Sequence, residues 1–356
     1  MASKTKIITL YNHKGGVSKT TTTFNLAHLI AEKDKKVLVV DADPQCNITE
    51  LLLVNKIEEL DEKEAASGKE QPLPGTSILD LLRPRIEGDR SDIDVSDVDT
   101  IQITENLFLL RGDVDLSEIE EALAEAHSQR FSNKTHEKKT YVALGSFLRK
   151  FGEESGFDYI LLDVGPSSGA LTRACFLVCD GFYVPTLPDR FNVQAVRTLS
   201  SIIGRWMEDH AQIYDSFRKL SLPISLGRPI FLGIILQNFK LYRGAPRKGY
   251  TYWINKIPRA YGANLRPLLQ RFSTIERDLT GGFDETTCIC AHIPDFQSLA
   301  PLLQEAGKPV FSITQEDTKA INNGKPYAGQ VWEQAEDRMA TYRAQINEIY
   351  VRLSLI

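Results

Sequence analysis

The sequence predicts an open, doubly wound α/β fold, with a mostly parallel central sheet flanked by helices. Three observations carry this. Short apolar runs of strand length recur along the chain, several end in an acid, and helical patterns long enough to cross over separate them. "KIITLY" (6–11) reads as a buried strand, followed by a glycine pair and a helical pattern from about Ser18 to Glu32. "KKVLVVDAD" (35–43) is the next strand. Strand, crossover helix and strand require parallel pairing. "FDYILLDVGPSS" (157–168), "GFYVPTLPD" (181–189), "RPIFLGIILQN" (228–238) and "TTCICAHIPD" (286–295) are the further strands, and a long helical pattern near 326–353 closes the chain. Residues 54–75 are charged and end in Pro and Gly, and 84–105 are rich in aspartate. Both read as partly mobile surface excursions. The expectation is one domain over 1–356, with an extended variable region at about 54–140.

The bulk numbers agree with a globular chain. Its 356 residues are 42% hydrophobic and 25% charged, with a net charge of −5. No apolar run reaches the roughly 20 residues of a membrane helix, and the N-terminus enters a strand with no leader-like segment. The cysteine count of five is odd, at spacings that fit a reduced, cytosolic compartment. Charge is unevenly placed. Residues 240–275 hold eight basic residues and no acid, a candidate contact for polyanions on an otherwise acidic chain.

The glycine pair lies in H-K-G-G-V-S-K-T, residues 13–20. A phosphate loop reads G-x-x-x-x-G-K-[ST], so His13 and Ser18 stand where glycines belong. Such a loop works through successive backbone N–H groups aimed at phosphate from a helix N-terminus. Gly15 and Gly16 supply the tight turn, Lys19 reaches the β/γ-phosphates, and the Thr20 hydroxyl is placed for Mg²⁺. Serine at 18 accepts the glycine torsions with strain of about 1 kcal/mol. The bland alternative is a glycine turn before an amphipathic helix. Against it stand Asp41 and Asp43, ending one strand, and Asp163, ending another. Ligands of open α/β sheets bind at that edge.

Taken together, "KGGVSKTT", "DADPQCN", "DVGPSS" and "IPDFQSLAPLLQEAGKPVF" resemble the ParA/MinD family of deviant Walker A P-loop ATPases, on the ParA side. "NLFLLRGDVDLSEIEEAL" (106–123) is also similar to the corresponding family segment. The family loop is K-G-G-x-x-K-[ST], so Lys14 becomes the signature lysine and His13 falls outside the motif. Ser18 falls at a variable position that is usually glycine. The resemblance implies a cradle of Lys14, Gly15, Gly16, Val17, Ser18, Lys19, Thr20 and Thr21 around ATP or ADP. It implies that Lys14 reaches the partner's ATP in a sandwich homodimer, while Lys19 binds phosphate in its own chain. Asp43 would position the hydrolytic water. Thr20, Asp41 and Asp163 would lie at Mg²⁺. Asn238 resembles the adenine-reading amide, and Pro294 and Asp295 the loop beside the base. It further implies slow hydrolysis, non-specific DNA binding by the ATP-bound dimer, stimulation by a ParB-like or adaptor protein, and a cytoplasmic, nucleoid-associated setting.

The basic block would supply the DNA contacts, with Arg243, Arg247, Lys248 and Arg259 as the candidates. The competing view is a solvated face over core aromatics. The tail "ATYRAQINEIYVRLSLI" lacks the basic character of a membrane-binding helix and reads as packed, so no membrane contact is expected. Two other readings compete with slow hydrolysis. One is a nucleotide-bound switch or scaffold with little turnover, which Ser18 and the long 54–105 region favour. The other is a serine hydrolase, because "GPSSG" matches G-x-S-x-G around Ser167, with His210 and His292 as possible bases. "CICAH" would place Cys288, Cys290 and His292 on one strand face, a pattern open to a soft metal. His13 and His28 read as structural, and Cys175 and Cys179 as packed against the sheet.

Overall fold

A computed structural model describes residues 4–242 and 245–356. Strands are β1 (Lys6–Leu10), β2 (Val37–Ala42), β3 (Ile101–Gln102), β4 (Leu107–Leu110), β5 (Tyr159–Val164), β6 (Gly181–Thr186), β7 (Ile230–Phe239), β8 (Leu241–Tyr242), β9 (Ala245–Pro246) and β10 (Ile289–Pro294). The helices begin with α1 (Lys19–Glu32), α2 (Asn47–Ser67), α3 (Ile78–Glu87), α4 (Glu120–Ser128), α5 (Thr135–Ser155) and α6 (Ala170–Val178). They continue with α7 (Arg190–Lys219), α8 (Lys248–Ile254), α9 (Lys256–Ala260), α10 (Arg266–Phe272), α11 (Leu299–Ala306) and α12 (Gln330–Val351).

The main sheet has eight strands in the order β10-β7-β6-β1-β5-β2-β4-β3. Every pair is parallel except β3 with β4. The doubly wound expectation therefore holds. Central strands are apolar throughout because helices cover both faces. One face packs on α3 to α7, α9 and α10, around Phe147, Phe176, Trp206 and Tyr261. The other packs on α1, α2, α11 and α12, around Phe24, Leu302 and Tyr342. The closing helix is amphipathic and packed, burying Ala335, Met339, Tyr342, Ile346 and Ile349. Among the described residues no helix is long and apolar enough to cross a membrane.

The reading of 54–75 as an excursion is corrected. α2 continues through Ser67 and stops at Gly68, whose φ of 65° is left-handed. Only its first turns bury side chains, Ile48, Thr49, Leu52 and Leu53. The rest is a solvated helix, and its charge comes from Glu and Lys, which are good helix formers. The second excursion is entered by α3, whose Ser77 and Asp80 form a reciprocal capping box. No strand was expected between 43 and 157. The structure adds β4 beside β2, with Val37 to Val40 opposite Leu107 to Leu110.

Parallel pairing brings the carboxyl ends of β1, β2, β5, β6, β7 and β10 to one edge. Asp41 and Asp163 are direct register partners on β2 and β5.

Candidate nucleotide-binding site

The loop between β1 and α1 is tied down before it turns. Asn12 Nδ2 donates to the Pro185 carbonyl at 2.8 Å, and Asn12 Oδ1 accepts from Lys14 N at 3.1 Å. The turn uses two left-handed residues, Gly16 at φ 69° and Ser18 at φ 60°. Glycine takes that conformation freely, but serine does not. Ser18 thus occupies the strained geometry its position predicts, and α1 starts directly after it. Gly15 to Thr21 line a cavity of about 630 Å³ with Asp43, Gln45, Asn47 and the 303–305 turn of α11. That volume suits a nucleotide-sized ligand.

Lys19 is buried at the base of the cradle. Among the described residues its Nζ donates only to the carbonyls of Asn12 at 3.2 Å and Lys14 at 3.1 Å. Burial lowers its pKa, and nearby Asp163 and Asp43 oppose that shift. Lys14 is not among the residues lining the cavity. Its Nζ lies 5.2 Å from the centre of the Phe191 ring, a side chain left 65% exposed at the start of α7.

The acids divide by environment. Asp163 is fully buried, and among the described residues neither carboxylate oxygen has a partner in hydrogen-bond geometry, although the Thr20 hydroxyl lies beside it. Burial, reinforced by Asp41, pushes its pKa up to about 8, while Thr20 and Lys19 nearby offset little of this. Asp41 is pushed up to about 6 by burial. Its oxygens are already engaged: Oδ1 accepts from Asp43 N at 3.1 Å, and Oδ2 from Thr49 N at 3.1 Å and Thr49 Oγ1 at 2.7 Å. Asp41 stands beside Asp163 in register and, through Thr49, also anchors the start of α2. Asp43 lines the cavity, its Oδ1 accepting from Gln45 N at 3.0 Å.

Among the described residues no group of three or more His, Cys, Asp or Glu could hold a metal by itself. Thr20 and the partnerless Asp163 are hard oxygen donors, too few for a protein cage. Such a set fits Mg²⁺, which keeps waters and phosphate oxygens as its other ligands.

The base-side candidates do not line the same cavity. Asn238, left-handed at φ 52°, is exposed, and its Nδ2 donates to Ser18 Oγ at 3.0 Å. Pro294 and Asp295 line a separate cavity of about 360 Å³ with Lys240, Arg247 and Arg338. Several positioning residues escaped the sequence reading. Asn12 holds the loop. Gln237 is buried and donates to Thr22 Oγ1 at 2.7 Å, joining β7 to α1. Glu120 caps α6, accepting from Ala170 N and from Leu171 N at 3.1 Å. None lies in a recognisable motif, because each acts across a long sequence gap.

Of the basic candidates, Arg247, Lys248 and Arg259 are exposed and make no ion pair among the described residues, while Arg243 lies outside them. The aromatics of the block separate: Tyr261 is in the core, and Tyr252 is exposed. Arg190, Arg197 and Arg205 recur on one exposed stripe of α7 and are likewise unpaired among the described residues. Helical spacing could have found that stripe. Arg271 pairs with Glu208 and links the block to α7.

The competing chemistries are not assembled. Ser167 Oγ lies 2.9 Å from Thr172 Oγ1 and accepts from Gly169 N. His210 has both ring nitrogens occupied, by Tyr141 Oη and the Ser225 carbonyl, each at 2.8 Å. His292 is exposed, with its backbone N–H bonded to Gln345. A bulge between Ile289 and Ala291 breaks the alternation expected for "CICAH". Cys288 and Cys290 are buried and bonded to carbonyls.

A parallel sheet carrying a lysine-bearing glycine loop at its carboxyl edge defines a P-loop protein with a second lysine in the loop. A family model described as an AAA domain, AAA_31, matches residues 5–213, more than half of the chain. The chain belongs to that family, the ParA/Soj-like partition ATPases. It is 29% identical to the chromosome-partitioning ATPase Soj of Thermus thermophilus over 226 residues, 64% of this chain and 71% of that one. Some relatives are longer: the match to an uncharacterised Mycobacterium tuberculosis protein spans 52% of it. Among solved structures, a Corynebacterium diphtheriae protein superposes with a TM-score of 0.64 at 22% identity, over 90% of this chain and 100% of that one. The ATP complex of a singly substituted Cyanothece McdA gives 0.58 at 18% identity, over 99% and 97%. These two likenesses concern the fold.

Proposed function

We propose that the chain is a nucleotide-gated partition or positioning switch that takes MgATP and dimerises around two nucleotides. The dimer holds DNA without sequence preference and is reset by slow hydrolysis, which a ParB-like or adaptor protein stimulates. The observation that carries this is the buried, partnerless carboxylate of Asp163 beside Lys19 and Thr20. A buried carboxyl group without a partner is costly, whether it stays charged or takes up a proton, unless a ligand completes it.

In this reading the loop N–H groups from Gly15 to Thr21 bind the phosphates, and Lys19 leaves its two carbonyls to meet them. Thr20 and Asp163 would hold Mg²⁺, directly or through water, and the ion supplies charge neutralisation at the phosphates. Asp43 positions the attacking water. Lys14, free of its own cavity, meets the nucleotide of the second copy, where a flexible point charge offsets charge developing on the transferred group. Asn238, Pro294 and Asp295 lie on the base side. Arg247, Lys248, Arg259 and the α7 arginines would exchange condensed counterions for DNA phosphates. A cytoplasmic, nucleoid-associated setting follows.

The test compares two lysines. Lys19→Ala should remove MgATP binding in calorimetry, whereas Lys14→Ala should bind MgATP and fail to hydrolyse it. A Lys14→Ala protein with full turnover defeats the signature-lysine assignment. The second reading, a switch or scaffold with little turnover, draws on the strained Ser18. A wild-type protein that binds MgATP and stays inert with DNA and the partner would establish it.

A further inference from the structure

The amino-terminal ends of β1, β6 and β7 form the edge of the sheet opposite the cradle, and a cavity of about 620 Å³ opens there. Five cations line it, Lys4, Arg149, Lys150, Arg228 and Arg277, against two acids, Glu153 and Asp180. Asp180 is already engaged. Its carboxylate accepts from both terminal nitrogens of the Arg149 guanidinium, at 2.7 and 2.8 Å, and from Ile7 N at 2.9 Å. Lys150 lies 3.9 Å from Glu154, outside the cavity lining, and with both side chains exposed this pair offsets little.

Two of the other cations are held in place without a counter-charge. Arg277 is half-buried, and its Nε and Nη2 donate to the carbonyls of Arg228 and Asp180, each at 3.3 Å. Arg228 Nη1 reaches the Phe272 carbonyl at 3.5 Å. Among the described residues neither arginine makes an ion pair, and nor does Lys4. Carbonyls orient a guanidinium but do not neutralise it, and a partly buried charge left so is costly. Burial lowers the Arg277 pKa, Asp180 opposes that shift and Arg149 adds to it. The wall at residues 223–228 is rigid. His210 Nε2 lies 2.8 Å from the Ser225 carbonyl, and Gly227, at φ 69°, packs where a Cβ would collide with the His210 ring.

We propose that this edge is a second ligand site, separate from the cradle, that takes a small polyanion carrying two or more phosphate groups. Arg228 and Arg277 present planar forks that match phosphate oxygens, and the exposed Lys4 and Lys150 add flexible point charges. Outside the Arg149–Asp180 pair, four cations face the single acid Glu153, which favours a ligand with several negative charges over a monocarboxylate. The cavity is concave and close in volume to the 630 Å³ of the cradle, so it suits a nucleotide-sized molecule better than a duplex. The site stands apart from the reading of the cradle and does not depend on it.

The probe is inorganic tripolyphosphate, titrated into the full chain by calorimetry without magnesium. Lys19→Ala, which lacks the phosphate lysine of the cradle, should still bind one tripolyphosphate per chain. Adding Arg228→Gln should weaken that event about tenfold, the worth of a charge-assisted hydrogen bond. Adding Lys4→Gln instead should weaken it a few-fold, because an exposed ammonium is screened. In the otherwise wild-type chain, Arg228→Gln should weaken one tripolyphosphate event, keep the thermal midpoint and leave MgATP affinity unchanged; this arm holds even if Lys19→Ala does not fold. A folded Lys19→Ala that binds no tripolyphosphate overturns the site. Undiminished tripolyphosphate affinity in Arg228→Gln overturns it as well, and a simultaneous loss of duplex DNA binding would make the edge a nucleic-acid surface instead. Absence of MgATP binding by the wild type would defeat the proposed function and leave this site standing.

Discussion

The chain buries two polar clusters, and their contents look alike until the partners are traced. One lies in the cradle: Lys19, Asp41, Asp43 and Asp163. The other, between α4, α5 and α7, joins His127, Tyr141 and His210 to Arg130, Arg173 and Asp209. In the second cluster the charges pair internally. Asp209 meets Arg130 at 3.3 Å and Arg173 at 3.2 Å, and Tyr141 Oη lies 2.8 Å from His210 Nδ1. The adjoining cavity of about 20 Å³ has room for one water. In the first cluster, Asp41 and Asp163 sit side by side, Asp163 has no partner, and Lys19 bonds only to carbonyls beside about 630 Å³ of space. Burial is common to both. Both clusters leave some polar atoms unmet, in the second His127 Nδ1, Arg130 Nε and Arg173 Nε, but a carboxyl group with neither oxygen bonded, next to ligand-sized volume, belongs to the first alone and separates a binding site from a structural network.

The sharpest way to break this contrast is to remove one polar group from each. Lys19→Ala should weaken MgATP binding by about 100-fold or more, since it deletes a charge-assisted contact to phosphate. Tyr141→Phe should leave MgATP binding untouched and cost about 1–2 kcal/mol in urea unfolding. Equal effects on nucleotide affinity would erase the distinction.

Asp163→Asn comes next. In the nucleotide-free protein it replaces a buried, crowded carboxylate with a neutral isostere, so the thermal midpoint should rise by about 2–4 °C. The same change should abolish the magnesium dependence of ATP binding. A fall in the midpoint would mean that the carboxylate is already satisfied.

The histidine cluster predicts the pH dependence. Burial lowers His127 to about 3 and His210 to about 4, with Arg173 nearby acting in the same direction. The unfolded chain takes these protons near pH 6.5. Stability from this source is therefore present above pH 6.5 and lost as pH falls towards about 3–4. Urea unfolding between pH 7 and 4.5 should show that decline, and His210→Asn should flatten it. A flat wild-type curve would contradict neutral burial of the pair.

Phe191→Ala should have the smallest effect. It removes the ring beneath Lys14, worth about 0.5–1 kcal/mol at an exposed site. ATP affinity should hold, while turnover falls a few-fold because Lys14 is less well directed. Unchanged turnover would reduce the contact to coincidence.

The path from sequence to site was uneven for physical reasons. The β1, β2 and β5 runs were legible because a strand covered on both faces must be apolar, and their terminal acids stood out against it. α2 beyond residue 54 was misread because a solvated helix and a charged loop share composition. β4 was missed, being four residues long and lying beside a segment read as an excursion. That Asp41 also holds Thr49 could not be read locally, because a strand-end acid looks the same whether or not a helix start bonds to it.

Local chemistry in the sequence alone determined the phosphate loop, its two lysines, the left-handed cost at Ser18 and the alternation of strands with helices. Each depends on residues within a few positions of one another. Only the tertiary structure decided which acid was left without a partner, that Asn238 meets Ser18, that Gln237 meets Thr22 and that Arg271 of the basic block pairs with Glu208 of α7. Those facts arise from strand order and helix packing, which bring together residues that chain proximity does not relate.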